Sequence, residues 1–156
     1  MAGSVTVFGG TGFIGRHLVA LLIQSGKTVR LAVRHPGRVQ MTTVSGQPPE
    51  PIQADVLDDV AVAAAVAGTD AVVNLVGILT ETTTQTYRAV HVEGARRVAL
   101  AAQRHGVMRL IHISALGSYS AAARFGVGSS GSPGWPVNLS PSAHISSACF
   151  FIAGRT

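Results

Sequence analysis

The stretch Val5-Thr6-Val7-Phe8-Gly9-Gly10-Thr11-Gly12-Phe13-Ile14-Gly15 constrains the fold of this chain more than any other. It reads as a short apolar strand, a glycine-packed turn and the first turn of a helix. Gly10, Gly12 and Gly15 fit the spacing G-x-G-x-x-G, and Gly9 adds a fourth glycine just upstream. In such a loop one glycine permits a tight turn, one lets the backbone approach a pyrophosphate, and one lets the helix pack closely on the strand. The helix then points unpaired N–H groups and its positive dipole end at the phosphates. Position decides between this reading and a plain glycine-rich turn: between a strand and a helix, the spacing marks a dinucleotide cradle.

Downstream, strand and helix patterns alternate. Residues 4–8 form the first strand, and residues 13–25 an amphipathic helix stopped near Gly26. Thr28 to Val33 is a second β-rich run, broken by His35-Pro36-Gly37, and Gln40 to Pro51 reads as a loop. Ile52 to Ala54 is a third strand, after which Asp58 caps an alanine-rich helix ending near Gly68. Ala71 to Val76 is an apolar run, as expected of a parallel strand covered on both faces. From Thr83 to His105, Tyr87, Val90, Gly94, Val98 and Ala101 recur at the spacing of a helix with one buried face. Gly106 ends that helix, and Met108 to Ser114 forms a fifth strand. The alternation predicts an α/β fold: a Rossmann-type, doubly wound parallel sheet of about five strands.

After Leu116 the chain becomes rich in Ser, Gly, Ala and Pro, with no sustained period. The reading divides it into a nucleotide-binding domain, 1–117, and an irregular tail, 118–156. Only His144 to Ala153 is apolar enough to leave a strand open. The abrupt shift of composition motivates the expectation that the tail is a truncated or frame-shifted product, lacking a substrate domain.

Composition excludes several classes. A hydrophobic share of 47% with 12% charged residues suits a buried sheet rather than a disordered chain. Cys149 is the only cysteine, so neither an intrachain disulfide nor a cysteine metal site is expected. The six histidines form no H-x-x-x-H cluster, which argues against a metal and for structural roles. The net charge of +5 comes from scattered arginines and from the lack of acids after Glu93, and aromatics are 5%. That is not the clustered footprint of a nucleic-acid binder. No apolar run reaches the roughly 18 residues of a membrane span, and the first strand begins too near Met1 for a cleaved presequence. A cytoplasmic setting is expected.

The residues that carry chemistry follow the strand ends. An acid about twenty positions beyond the glycines holds an adenosine ribose, whereas an arginine there accommodates a 2′-phosphate. Here the sequence is Val33-Arg34-His35, with Arg38 nearby, which favours NADP(H) and leaves NAD(H) open. The competing reading is two solvated loop arginines. Asp55-Val56 offers a carboxylate to an adenine amino group, or a turn carboxylate. Val76 and Gly77 follow Asn74 at the carboxyl edge of the sheet, where open α/β sheets bind ligands, and Gly77 is either a close-approach or a loop glycine. Ser114 ends strand five facing the same crevice, or bonds its own backbone.

Together these pieces resemble the extended and atypical short-chain dehydrogenase/reductase superfamily. The resemblance is nearest to the branch of the nucleotide-binding accessory subunit of respiratory complex I and its bacterial relatives. The matching segments are Phe8 to His17, Ala32-Val33-Arg34, Asp55-Val56, Asn74 to Leu79, Tyr87 to Ala95 and His112 to Gly117. The resemblance implies NAD(P) held by Gly9, Gly10, Thr11, Gly12, Phe13 and Ile14, with Arg34 at the 2′-phosphate. It further implies adenine contacts at Asp55 and Val56, and a nicotinamide-side wall at Val76, Gly77 and Ser114. Family enzymes use a Tyr-x-x-x-Lys pair after strand five, in which the lysine tunes the tyrosine as general acid. Here Tyr119 is followed four residues later by Ala123, and the sole lysine is Lys27. Nucleotide binding without efficient turnover is therefore expected, with reductase or epimerase activity on a carbonyl substrate, or an inactive fragment, as alternatives. The unknown partner is a small-molecule substrate or a protein complex, the latter able to tether the chain to a membrane assembly.

Overall fold

The computed structural model describes residues 3–41, 47–115, 137–138 and 148–154. Five parallel strands run β1 (Ser4–Phe8), β2 (Thr28–Val33), β3 (Glu50–Gln53), β4 (Ala71–Asn74) and β5 (Arg109–Ala115). Helices α1 (Phe13–Gln24), α2 (Asp59–Val66) and α3 (Ala95–Arg104) link them, and a π-helical segment, Arg88–Gly94, leads into α3. The spatial order is β3-β2-β1-β4-β5, so the winding reverses between β1 and β4. β6 (Val137–Asn138) and β7 (Ala148–Gly154) extend the sheet, β7 lying antiparallel on β5 with Ile111 opposite Ile152. The apolar burst of the tail is thus a strand. The remaining tail, including Gly117, Tyr119 and Ala123, falls outside the described residues.

Helices α1 and α3 cover the sheet because their apolar residues recur on one side, whereas α2 is apolar nearly all round and buries Val62, Ala65 and Val66. Val19 and Ile23 of α1 pack on Val5, Val7, Val29 and Leu31. On the other face Val62 and Val66 of α2 meet Val72, Val98 and Ala102. Full burial of such side chains is worth about 2 kcal/mol each before chain entropy is counted.

The predicted boundaries hold at most ends and fail at three. Gly26, Gly68 and Gly106 all take positive φ (73°, 69° and 66°), as glycines that stop helices do. The third strand starts earlier than expected, at Glu50, and takes in Pro51. Proline is tolerated there because β3 is an edge strand and needs no outward donor. β4 ends at Asn74 rather than Val76, since the Asn74 side chain accepts the Val76 amide at 3.1 Å and turns the chain out of the sheet. The long helix begins near Tyr87, not Thr83. Thr86 Oγ1 accepts the Ala89 amide at 3.1 Å, and Glu81 accepts the Tyr87 amide, so residues before Thr86 form a turn.

Candidate functional site

The switch in strand order leaves a crevice at the carboxyl ends of β1 and β4, where open α/β sheets take ligands. The glycine loop forms its floor. Gly9 has φ +75°, and a Cβ there would lie 2.9 Å from the Leu75 carbonyl carbon. A Cβ on Gly15 would lie 2.3 Å from Gly9 O and 2.5 Å from Gly10 Cα, so α1 leans on the loop with backbone against backbone. A Cβ on Gly10 would lie 2.1 Å from Leu31 Cδ1. Gly12 has φ −73° and ψ 178° and starts α1. Its amide donates to Gly9 O at 3.1 Å.

The roles are therefore distributed differently from the simple motif reading. Gly9 takes the left-handed turn, Gly10 seats the loop on the core beneath, and Gly15 sets the helix contact. Gly12 is the glycine exposed toward the crevice. α1 has no acid in its first turn and no side chain capping its start. The amides of its first turn, Phe13, Ile14 and Gly15, have no intrahelical acceptor, and the dipole favours an anion there.

A cleft of about 320 Å³ runs from this loop along the sheet edge. Gly9, Thr11, Gly12, Arg34, Asp55, Val56, Val76 and Gly77 all line it. Eight of the expected residues thus meet in one place. Phe13 and Ile14 stand exposed beside it, 77% and 54% accessible, with the Phe13 ring edge-on to His17 at 5.6 Å. Gly10 lies beneath the loop instead of against the cleft. Ser114 sits in β5, and its side chain falls outside the described residues.

The cleft opens into a wider basin of about 660 Å³, which shares Arg34, Asp55 and Gln85 with it and adds His35 and Asp58. Arg34 is exposed and makes no ion pair among the described residues. Asp58 Oδ1 accepts the Val60 and Ala61 amides as cap of α2, at 2.9 and 3.1 Å. Asp55 Oδ1 accepts the Leu57 amide at 2.9 Å, so the turn reading is present, while the residue still faces cleft and basin. Arg38 stands exposed in the short 3-10 turn Pro36–Arg38 and lines neither space.

Gln85 and Ile78 also line the cleft, beyond the site residues expected there. Gln85 fell inside the expected helix, and only the turn that holds it, with its amide on Thr82 Oγ1 at 3.1 Å, brings it to the cleft. Nor did spacing pair His91 with His112. His91 reaches across from the π-helical segment to Ile78. His112 titrates below its ordinary range, because burial disfavours the charged ring and His91 lies close, opposed by a hydrogen bond to the Asn74 backbone. Its Nδ1 is buried with no partner among the described residues. No cluster of metal-ligating side chains occurs among the described residues, and no helix there is long and apolar enough to cross a membrane. Lys27 lies at the opposite end of the sheet, beside Gly3 and Asp70.

A dinucleotide fits these residues on steric grounds: the loop is open at Gly12, where a phosphate must approach, and is filled where a side chain at Gly9, Gly10 or Gly15 would point. Comparison with known proteins agrees. A family model described as NAD(P)H-binding matches residues 9–133. NADH dehydrogenase [ubiquinone] 1 alpha subcomplex subunit 9 of Arabidopsis thaliana is 35% identical over 118 residues, covering 72% of this chain and 29% of its own. The 3-beta-hydroxysteroid dehydrogenase of Mycolicibacterium neoaurum is 34% identical over 122 residues, covering 70% and 31%. Among solved structures, uronate dehydrogenase from Agrobacterium tumefaciens, complexed with NAD, matches with TM-score 0.54 and 30% identity over 68% of this chain and 38% of that one. The chain spans about a third of the length of the curated relatives it matches. Glycine cradle, switch-point crevice and matched sequence together make this chain a member of the NAD(P)H-binding family, within the short-chain dehydrogenase/reductase superfamily.

Proposed function

We propose that this chain binds NADP(H) in preference to NAD(H) and does so without efficient turnover. The observation that carries the reading is Arg34, exposed at the junction of cleft and basin with no carboxylate paired to it among the described residues. The pyrophosphate would rest on Gly9, Thr11 and Gly12 and on the first amides of α1, with Phe13 and Ile14 alongside. Adenine would lie toward Asp55 and Val56, and the nicotinamide against Val76 and Gly77, with Ser114 beyond. When bound, the cofactor supplies hydride-transfer chemistry. The chain's own part is to hold and orient it, because no lysine stands within the cleft to lower a tyrosine's pKa.

Titration with NADPH and NADH, read by nicotinamide fluorescence, tests the reading. NADPH is expected to bind more tightly, and Arg34→Ala to cost about tenfold toward NADPH with little change toward NADH. Equal affinities, or an unchanged Arg34→Ala, would remove the NADP(H) preference.

A second reading, reductase or epimerase action on a carbonyl substrate, is favoured by relatives named as dehydrogenases. NADPH oxidation in the presence of a panel of aldehydes and ketones would establish it. The relative named as a mitochondrial NADH dehydrogenase subunit suggests a protein complex as partner, through which a cytoplasmic chain would be attached to a membrane assembly.

A further inference from the structure

Two side chains hold the Val76–Ile78 wall of the cleft: Asn74 takes the Val76 amide, and His91 meets Ile78. The Ile78 amide donates to His91 Nε2 at 3.1 Å, and the same nitrogen lies 3.1 Å from Ile78 O. A neutral ring protonated on Nδ1 accepts from the amide. A ring bearing a proton on Nε2 can only donate to the carbonyl, and then faces the Ile78 amide with a second N–H. The ring packs closely on Gly77, where a Cβ would lie 3.0 Å from His91 Cε1. The π-helical segment that carries His91 also carries Val90, which lines the cleft itself. Among the described residues, the titratable groups shown against His91 are His112 on β5 and Tyr87 on its own helix. Tyr87 donates its hydroxyl to Leu79 O, and Glu81 serves the Tyr87 amide rather than the His91 ring.

We infer that His91 is a positioning residue for the cofactor, whose unprotonated ring fastens the Ile78 amide and whose protonation exchanges that bond for one to the Ile78 carbonyl, loosening the wall. The inference rests on the cofactor reading of the cleft. Affinity for the dinucleotide should fall as the pH is lowered and the ring takes up a proton.

NADH is the probe, because the 2′-phosphate of NADPH itself titrates near pH 6. The full chain is titrated with NADH at about pH 8 and about pH 6, as wild type, His91→Gln and His112→Gln. The wild type is expected to bind about fivefold more weakly at the lower pH, the worth of one hydrogen bond. His91→Gln, whose amide oxygen reaches the position of Nε2 and can accept from Ile78, is expected to bind equally at both. His112→Gln is expected to keep the pH dependence. A pH-independent wild type, a pH-dependent His91→Gln, or a dependence lost in His112→Gln overturns the inference while leaving the cofactor reading intact. No NADH or NADPH binding at either pH overturns both. Should a variant fail to fold, the wild type alone decides. By NMR, the Ile78 amide resonance must titrate together with the His91 ring, and an Ile78 amide indifferent to pH sinks the idea.

Discussion

Gly12 and Gly15 are three residues apart and bear different burdens. An alanine at Gly15 drives its methyl into the backbone of Gly9 and Gly10, which has no rotamer to yield. Gly15→Ala is therefore expected to cost about 3 kcal/mol, read as a shift of the urea midpoint, and to lose nucleotide binding with it. At Gly12 a methyl meets only Gly9 O, at 3.2 Å, in an ordinary backbone conformation. Gly12→Ala should cost under about 1 kcal/mol, yet still weaken NADH and NADPH binding, because the methyl occupies the phosphate's approach. A Gly12→Ala protein with unchanged affinity would mean that the pyrophosphate lies elsewhere. The sequence showed which four glycines mattered, since the spacing is local. It could not show which glycine did what. Gly10 is fixed by Leu31 and Gly9 by Leu75, contacts that exist only once β2 and β4 flank β1.

At the scale of elements, strand and helix identities were legible wherever hydrophobic period and a glycine stop agreed. Two of the three failures share a cause: a side chain that takes a backbone donor and so ends an element early or starts it late. Asn74 does this at the end of β4, and Thr86 at the start of the helix before α3. Periodicity alone does not register either bond. It also missed the π turn, whose extra width takes Tyr87 out of the buried stripe and leaves it 46% accessible with its hydroxyl on Leu79 O at 2.6 Å. Where a cap was visible in the sequence, the expectation held. Asp58→Ala should remove two bonds to the start of α2 and cost about 1 kcal/mol, seen as a lower thermal midpoint. Asp58→Asn, which can still cap, should recover most of it.

For the whole molecule, two predictions concern pH and the sheet edge. His112 is held neutral in the folded chain and below its ordinary value of 6.5. The unfolded ring takes up a proton from about pH 6.5 downward while the folded ring resists, so the unfolded state binds more protons and stability falls. The contribution is complete above that pH and is lost as the pH drops through the folded-state value. Urea midpoints measured across that range should decline, and His112→Asn should flatten the decline. Asp70 acts in the same sense at lower pH. Hydrogen bonds from the Ser4 backbone and side chain hold its carboxyl below 3.8, so its contribution is present above that value and disappears in acid. The second prediction concerns β7, which pairs along the whole of β5 from Arg109 to Ala115. Deleting 148–154 should bare that edge and drive self-association, visible by light scattering, with the cleft residues untouched.

One arrangement bears on when, and not only how, the chain acquires its ligand. Among the described residues, all those that line the cleft and its basin fall between Phe8 and Val90. A polypeptide is made N-terminus first, so these lining residues are all synthesised before β5. Cellular dinucleotide can then select the folded arrangement of β1, β2 and β4 by mass action during synthesis, acting on the nascent chain as a folding template.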